Sequence, residues 1–432
     1  NDFNAKQAER LSGVDLLKRR GNHKADEADF PSTSHFAALP FLQHLADTYG
    51  ADKIHSLFNH YRKTLEDLIA NNKMIQLEKL DERYREPFGV IGNYDASILY
   101  MSRLAEGIDT KDIETRSSAE RALRDFLSLA ANGAEPGAYY AILQADGDSM
   151  GTVIDNQLEI KDHQKLSRQL ATFAKKAEEI VLNNRGALAY AGGDDVLALL
   201  PVDTVLQCAK DLHDRFDALV GTGYCCDTCG KPRFVTTTGL SPTLSVGIAI
   251  CHHLEPLNDA LALVRSAEKS AKQVQGKNGL AIVIAKRSGE PQRIQGSWAE
   301  DKGFFIRLQT WLRMMQHTEL SAGAPYELRN LVERLGEPQE LNTEAQTLHR
   351  AIAEEAGRII ERKQGQRGSK KLDTKDITEL RTLLGLPEKK SINGNIVFVP
   401  TDNGERYGKQ MVTVRQLADE LIVARELVRL GA

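Results

Sequence analysis

The stretch LAYAGGDDVLALLP, Leu188–Pro201, constrains the fold more than any other. Two short apolar runs, ALAYA and VLALL, are parted by only Gly192, Gly193, Asp194 and Asp195. Apolar runs on either side of a glycine-rich turn read as a β-hairpin, because glycine supplies the positive φ that tight turns need. Both glycines are expected to take that conformation. Gly-Gly-Asp-Asp is also a serviceable turn with no further purpose, so the hairpin alone assigns no function. It does put two adjacent carboxylates at a tip.

The flanking pattern says what that tip faces. YYAILQAD (139–146) reads as a strand and HQKLSRQLATFAKKAEEIVLNN (163–184) as an amphipathic helix. After the hairpin come a second helix (203–220), a strand TLSVGIAIC (243–251), a third helix (257–274) and a strand GLAIVIA (279–285). The order β-α-β-β-α-β with an added α-β is the ferredoxin-like split βαβ pattern, an α+β fold. In that topology the end of the first strand lies beside the tip of the central hairpin. The first strand ends in QADGDSMG, so Asp146 and Asp148 are expected to meet Asp194 and Asp195.

Around this middle region, about 136–290, the chain reads as helical. Residues 1–135 include FAALPFLQHLADTYG and IHSLFNHYRKTLEDLIANNK, with Ser32, Thr33 and Ser34 as N-cap candidates. AANGAEPGA (131–138) is a breaker cluster and a boundary. Residues 291–432 carry three amphipathic runs and one short strand, GNIVFVPT (394–401). The charged run 362–376 reads most simply as a solvated linker, with RNA or protein contact as the alternative.

Bulk properties exclude several classes. The chain has 432 residues, room for two to four domains of roughly 100–200 residues each. Its 56 basic and 60 acidic residues leave a net charge of −4, unlike a wholly basic nucleic-acid binder. No apolar run is long enough to span a bilayer, and the N-terminus has no signal-peptide core. It also has no initiator Met, as in a fragment or processed chain. Five cysteines make no disulfide framework, so a reducing cytoplasm is the simplest setting. Cys226 and Cys229 form one CxxC in the insertion near 221–240, but structural Zn²⁺ takes four ligands. A loop of unpaired thiols is the favoured reading, unless the fold brings Cys251, His252 and His253 close.

A cluster of three or four carboxylates repels itself unless a cation sits in it. Mg²⁺, or Mn²⁺, suits Asp146, Asp148, Asp194 and Asp195, because it takes oxygen ligands and shares them with substrate phosphates. Gly192 and Gly193 leave room for a nucleotide beside the backbone. Gly147 and Ser149, in GDSMG, offer polar groups to a triphosphate. Lys269 and Lys272 sit one helical turn apart and could neutralise a terminal phosphate.

YYAILQADGDSMG, YAGGDDVLALLP, SVGIAICHH, LNDALALVRSAEKSAK and VIAKRSGE, with ERLSGVDLLKRRG and FPSTSHFAALPF nearer the start, resemble the large subunit of type III CRISPR RNA-guided effector complexes, Cmr branch. The resemblance implies that the middle region is a catalytic Palm domain of nucleotidyl cyclase–polymerase type. It implies joining of ATP into cyclic oligoadenylates when target RNA pairs with a guide RNA held by partner subunits. By motif position, Asp146 and Asp194 would hold metal, Asp195 and Asp148 would assist, the Gly147 carbonyl could contribute, and Lys272 would bind phosphate. The family's HD nuclease domain and first Palm-like domain are not visible in the chain, and LSGVDLL stands where many members carry zinc cysteines. Two alternatives stay open: a diguanylate-cyclase-like enzyme, although Val196 replaces the usual aromatic, and a scaffold without chemistry.

Overall fold

The computed structural model describes residues 30–71, 80–84, 91, 94–104, 106, 112–225, 230–299, 303–336, 343–364, 371–386, 388–392, 395–399 and 412–431. Its centre is a six-stranded sheet. The strands are β1 (Tyr139–Gly147), β2 (Ala187–Ala191), β3 (Val196–Leu200), β4 (Leu244–His252), β5 (Gly279–Ile284) and β6 (Gln292–Ser297). Their order is β2-β3-β1-β4-β5-β6. The first four give 2-3-1-4, the order of a split βαβ sheet. β1 pairs antiparallel with β3 and β4, and β5 adds parallel to β4. β6 pairs antiparallel with β5, so the sheet continues past the boundary expected near 290. QRIQGS alternates too weakly in hydropathy to announce a strand; only Ile294 and Ser297 are buried.

β4 is buried from Leu244 through Cys251, as a central strand covered on both faces should be. On one face, Ala141, Leu143 and Ala145 of β1 pack against α5 (Ile160–Asn183) and α6 (Val205–Leu219). α5 forms because Leu166, Phe173, Ala177 and Val181 fall on one stripe. Over β4–β6 the same face carries a C-terminal layer. It is built from α8 (Phe304–Gln316), α9 (Ala324–Leu335), α10 (Thr343–Arg362), α11 (Thr374–Leu383) and α12 (Val414–Leu430). Trp311, 1% exposed, is its largest buried side chain.

On the opposite face, Tyr140 and Ile142 meet α1 (Thr33–Tyr49), α2 (Ala51–Ala70) and α3 (Ile113–Ala131). Of the three expected caps of α1, Ser32 is the one that forms: its hydroxyl accepts from the His35 N–H. α7 (Leu257–Lys272) lies on this face over β4 and β5. A Cβ on Gly247 would lie 2.2 Å from the Glu268 backbone nitrogen, so only glycine lets the helix come this close to β4. That approach sets the last turns of α7 beside the end of β1.

The charged run 362–376 is not wholly a solvated linker. α10 continues to Arg362, and Asp373 caps α11 by accepting from the Asp376 N–H. Asp376 is itself buried and accepts from Arg313 at 2.7 Å. The strand expected in GNIVFVPT is β8 (Asn395–Val399), which pairs with β7 (Glu388–Ile392). No helix among the described residues is long and apolar enough to cross a membrane.

Candidate metal and nucleotide site

Strand pairing builds the site. Ala145 of β1 stands opposite Val196 of β3, so one residue further Asp146 faces the hairpin tip. The turn closes through the Gly192 N–H, which donates to the Asp195 carbonyl at 2.9 Å. Only Gly193, at φ +98°, takes the positive φ expected of both glycines. Gly147 serves by close approach. A Cβ there would lie 2.8 Å from Asp194 Cβ and 2.7 Å from Met150 Cγ, so any larger residue would hold the hairpin off β1.

The result is a group of three carboxylates. One oxygen each from Asp146, Asp194 and Asp195 lies within 4.8 Å of the others. Asp146 and Asp194 are half-buried and Asp195 is exposed. Burial pushes the Asp194 carboxyl above its usual range, and Asp195 beside it adds to the push. Among the described residues no lysine or arginine pairs with Asp194 or Asp195. Three converging oxygen donors, only one of them neutralised by a protein cation, fit a hard divalent ion such as Mg²⁺ or Mn²⁺.

Lys272 is the cation on the third. Its ammonium pairs with Asp146 and lies 3.1 Å from Glu268, four residues back on α7. Burial and nearby Lys277 push the lysine down, while the two carboxylates around it favour its charged form. Lys269 does not join it: one helical turn was expected to put both on one side, but Lys269 is exposed and makes no ion pair among the described residues. Glu268, a fourth acidic group, was not singled out in the sequence. Burial raises its pKa, and Asp148 and Asp195 add to that. Its spacing of four from Lys272 was the available signal.

Asp148 departs from the expected metal set. It is 2% exposed and lies outside the three-carboxylate group. Its Oδ2 accepts from Thr243 Oγ1 at 2.7 Å, Ser245 Oγ at 2.8 Å and the Asn278 N–H at 3.0 Å. The chain turns after Gly147, which takes Asp148 off the strand face that Asp146 occupies. Ser149 begins α4 (Met150–Asp155) at φ +61° without capping it, and its hydroxyl accepts from Lys277 Nζ at 3.1 Å. Lys277 and Asn278 lay unremarked in QGKNG, where the turn signal was legible but its partner was not.

The zinc option finds no support in the downstream residues. Cys226 and Cys229 lie outside the described residues. Cys251 is buried in β4, and His253 Nδ1 bonds Ser34 Oγ at 2.7 Å while its ring stacks on Tyr100. These groups sit at the end of β4 away from Leu244, about 24 Å along the strand by its rise per residue.

A split βαβ sheet that brings carboxylates from its first strand and central hairpin to one edge defines a palm of the nucleotidyl cyclase and polymerase type. Residues 139–281 match the profile described as Cas10/Cmr2, second palm domain. The central palm of this chain is thus of the Cas10/Cmr2 second-palm type. The chain is 29% identical over 298 residues to the CRISPR system Cmr subunit Cmr2 of Pyrococcus furiosus, covering 61% of this chain and 31% of that one. It is 34% identical over 101 residues to the CMR subunit Cmr2 of Saccharolobus solfataricus, covering 21% and 10%. The chain thus spans less than a third of either curated relative. A cryo-EM structure of a type III-B Cmr-beta complex bound to cognate target RNA contains a chain that matches at TM-score 0.51 and 13% identity, over 96% of this chain and 50% of that one.

Proposed function

We propose that this chain is the cyclic oligoadenylate synthase subunit of a cytoplasmic type III CRISPR antiviral effector complex. It joins ATP through 3′-5′ phosphodiester bonds when guide and target RNA are paired. The observation that carries this reading is the convergence of Asp146, Asp194 and Asp195 at one sheet edge, beside a glycine-lined turn and Lys272. RNA reaches the complex mainly through partner subunits, which is consistent with a net charge of −4.

In the proposed reaction the 3′-hydroxyl oxygen of one ATP attacks the α-phosphorus of another. The bond to the β-phosphate oxygen breaks, pyrophosphate leaves, and the hydroxyl proton passes to water. Mg²⁺ held by Asp146, Asp194 and Asp195 would acidify the hydroxyl and balance charge on the leaving pyrophosphate. Gly147 keeps Asp194 against β1 so that the three carboxylates keep their spacing. Lys272, released from Asp146, would turn to a phosphate oxygen.

Carboxylates read metal and phosphate, never the base. The test is therefore the assembled complex with guide RNA, matched target RNA, Mg²⁺ and each of the four NTPs in turn. Products are read by mass spectrometry, with Asp194→Ala/Asp195→Ala alongside. Cyclic oligoadenylate from ATP, reduced at least about a hundredfold in the variant, is expected, since even outer-shell groups at metal sites are worth 10–100-fold. Cyclic di-GMP from GTP would establish the diguanylate-cyclase-like alternative. No product from any NTP, with target RNA still bound, would establish a scaffold.

A further inference from the structure

Three residues beside the carboxylates hold a backbone conformation that L-amino acids rarely adopt: Ser149 (φ +61°), Lys277 (φ +57°) and Asn278 (φ +51°). Gly276 precedes them at φ +85°, so the turn carries three consecutive positive-φ residues. Such a turn persists only where its surroundings over-determine it. Here they do. The Asn278 N–H donates to Asp148 Oδ2, and its carbonyl accepts from the Trp298 N–H at 2.8 Å. Its side-chain oxygen bonds His213 Nε2 at 2.8 Å. The Gly279 N–H donates to Ser245 Oγ at 3.3 Å, and that hydroxyl donates to Asp148. The Asp148 N–H is itself tied to the Thr243 carbonyl at 2.7 Å.

Asp148 thus joins three segments: the end of β1, the approach to β4 and the turn before β5. The same turn carries Lys277, whose ammonium reaches across to Ser149 Oγ on the loop after Asp146. Lys277 is exposed and makes no ion pair among the described residues. The only described hydrogen-bond partner of its ammonium is a neutral hydroxyl. A cation held on a rigid, strained turn, paired with a hydroxyl and lying next to a metal-capable carboxylate group, suits the outer phosphates of a nucleoside triphosphate.

We propose that Asp148 is a positioning residue rather than a metal ligand: its buried carboxylate fixes the 276–279 turn so that Lys277, with Ser149, receives the substrate's triphosphate. This rests on the triphosphate reading of the site. A buried carboxylate that already accepts from three donors, the Thr243 hydroxyl, the Asn278 N–H and a Ser245 hydroxyl shared between its two oxygens, is poorly disposed to coordinate an ion as well. The same bonds make it a strong anchor.

The test uses the complex with guide and target RNA and the variants Asp148→Asn, Lys277→Met, Lys277→Arg and Asp148→Asn/Lys277→Met. KM for ATP, kcat and the half-saturating Mg²⁺ concentration are measured for each. Asp148→Asn and Lys277→Met should each raise KM about tenfold, the scale of outer-shell losses. The Mg²⁺ requirement should not move, the double variant should be no worse than Lys277→Met, and Lys277→Arg should recover most of the loss. A shifted Mg²⁺ requirement in Asp148→Asn would make it a metal ligand and overturn the proposal. Independent, multiplying losses, or no change in KM, would overturn it too. Equilibrium binding of labelled ATP separates this from the synthase reading. If the wild-type complex turns over no NTP but Asp148→Asn still weakens ATP binding, synthesis fails and the positioning role stands. Should Asp148→Asn not fold, Ser245→Ala removes one of its three donors more gently and must shift ATP binding the same way.

Discussion

The sheet edge at Asp146 and the interior of the C-terminal helical layer treat carboxylates in opposite ways. In the helical layer Glu420, 1% exposed, accepts from Arg307 Nη2 at 2.8 Å, Arg307 Nε at 3.2 Å, Trp311 Nε1 at 2.9 Å and Gln416 Nε2 at 3.1 Å. Asp376 and Glu319 share Arg313 in the same way. Each buried charge there has a protein partner, as burial requires. At the sheet edge no lysine or arginine among the described residues pairs with Asp194 or Asp195, and burial pushes Asp194 up. A carboxylate that holds a fold together is paired with a cation from the chain. One that holds a ligand is left for something else to neutralise. Asp148 lies a few residues from the site yet is also held by the chain, through neutral donors.

The largest effect that could break this comparison is at Glu420. Glu420→Ala removes the carboxylate that accepts two hydrogen bonds from the buried Arg307 guanidinium, and should cost about 3–5 kcal/mol of stability. Thermal unfolding checks it; an unchanged melting temperature would remove the distinction. Replacing Arg307 and Glu420 together by apolar residues of similar volume should cost much less than the single change.

The next effect concerns the carboxylates around the sheet edge. Asp194 and Glu268 have folded-state pKa values raised above their unfolded ones. Their contribution to stability is therefore fully present below the unfolded values and lost as pH rises through the folded ones. Near neutral pH the cluster opposes folding, and a divalent cation should offset that. Mg²⁺ or Mn²⁺ at a hundred times its dissociation constant should add about 2.7 kcal/mol. The rise in melting temperature should be larger at pH 7.5 than at pH 5. Asp194→Asn should raise the melting temperature of the metal-free protein at pH 7.5 and abolish most of the cation effect. An equal cation effect at both pH values would show that these carboxylates are not the binding group.

The smallest expected change in stability sharpens the comparison from the geometric side. Gly147→Ala should cost about 1–3 kcal/mol, as an overpacked contact does. Its added Cβ must move Asp194 or Met150. Nucleotide turnover should fall far more than stability, by about a hundredfold, because a misplacement of 1 Å has that effect. Comparable turnover in the variant and the wild type would mean that the hairpin's approach to β1 does not set the site.

The sheet was largely legible in the amino-acid order because its strands are short apolar runs with hairpin and helix signals between them. The apolar run in YYAILQAD, the break at GGDD and the order of strands and helices between them were enough to place Asp146 opposite Asp194 and Asp195. β6 was not legible, since QRIQGS is recruited by pairing with β5 rather than by its own hydropathy. Cys226 and Cys229 fall outside the described residues.

What the sequence determined by itself was the topology and the meeting of the two acidic motifs, because periodicity and turn chemistry are local properties that a chain displays along its length. What only the tertiary structure decided was which charged groups come together. Asp146 and Asp148 stand two residues apart on either side of Gly147, and Lys269 and Lys272 share one helix. One of each pair reaches the cluster and the other does not. Which one does depends on where the chain turns after Gly147 and how closely α7 presses on Gly247. Those are packing distances between segments far apart in sequence, and no local pattern encodes them.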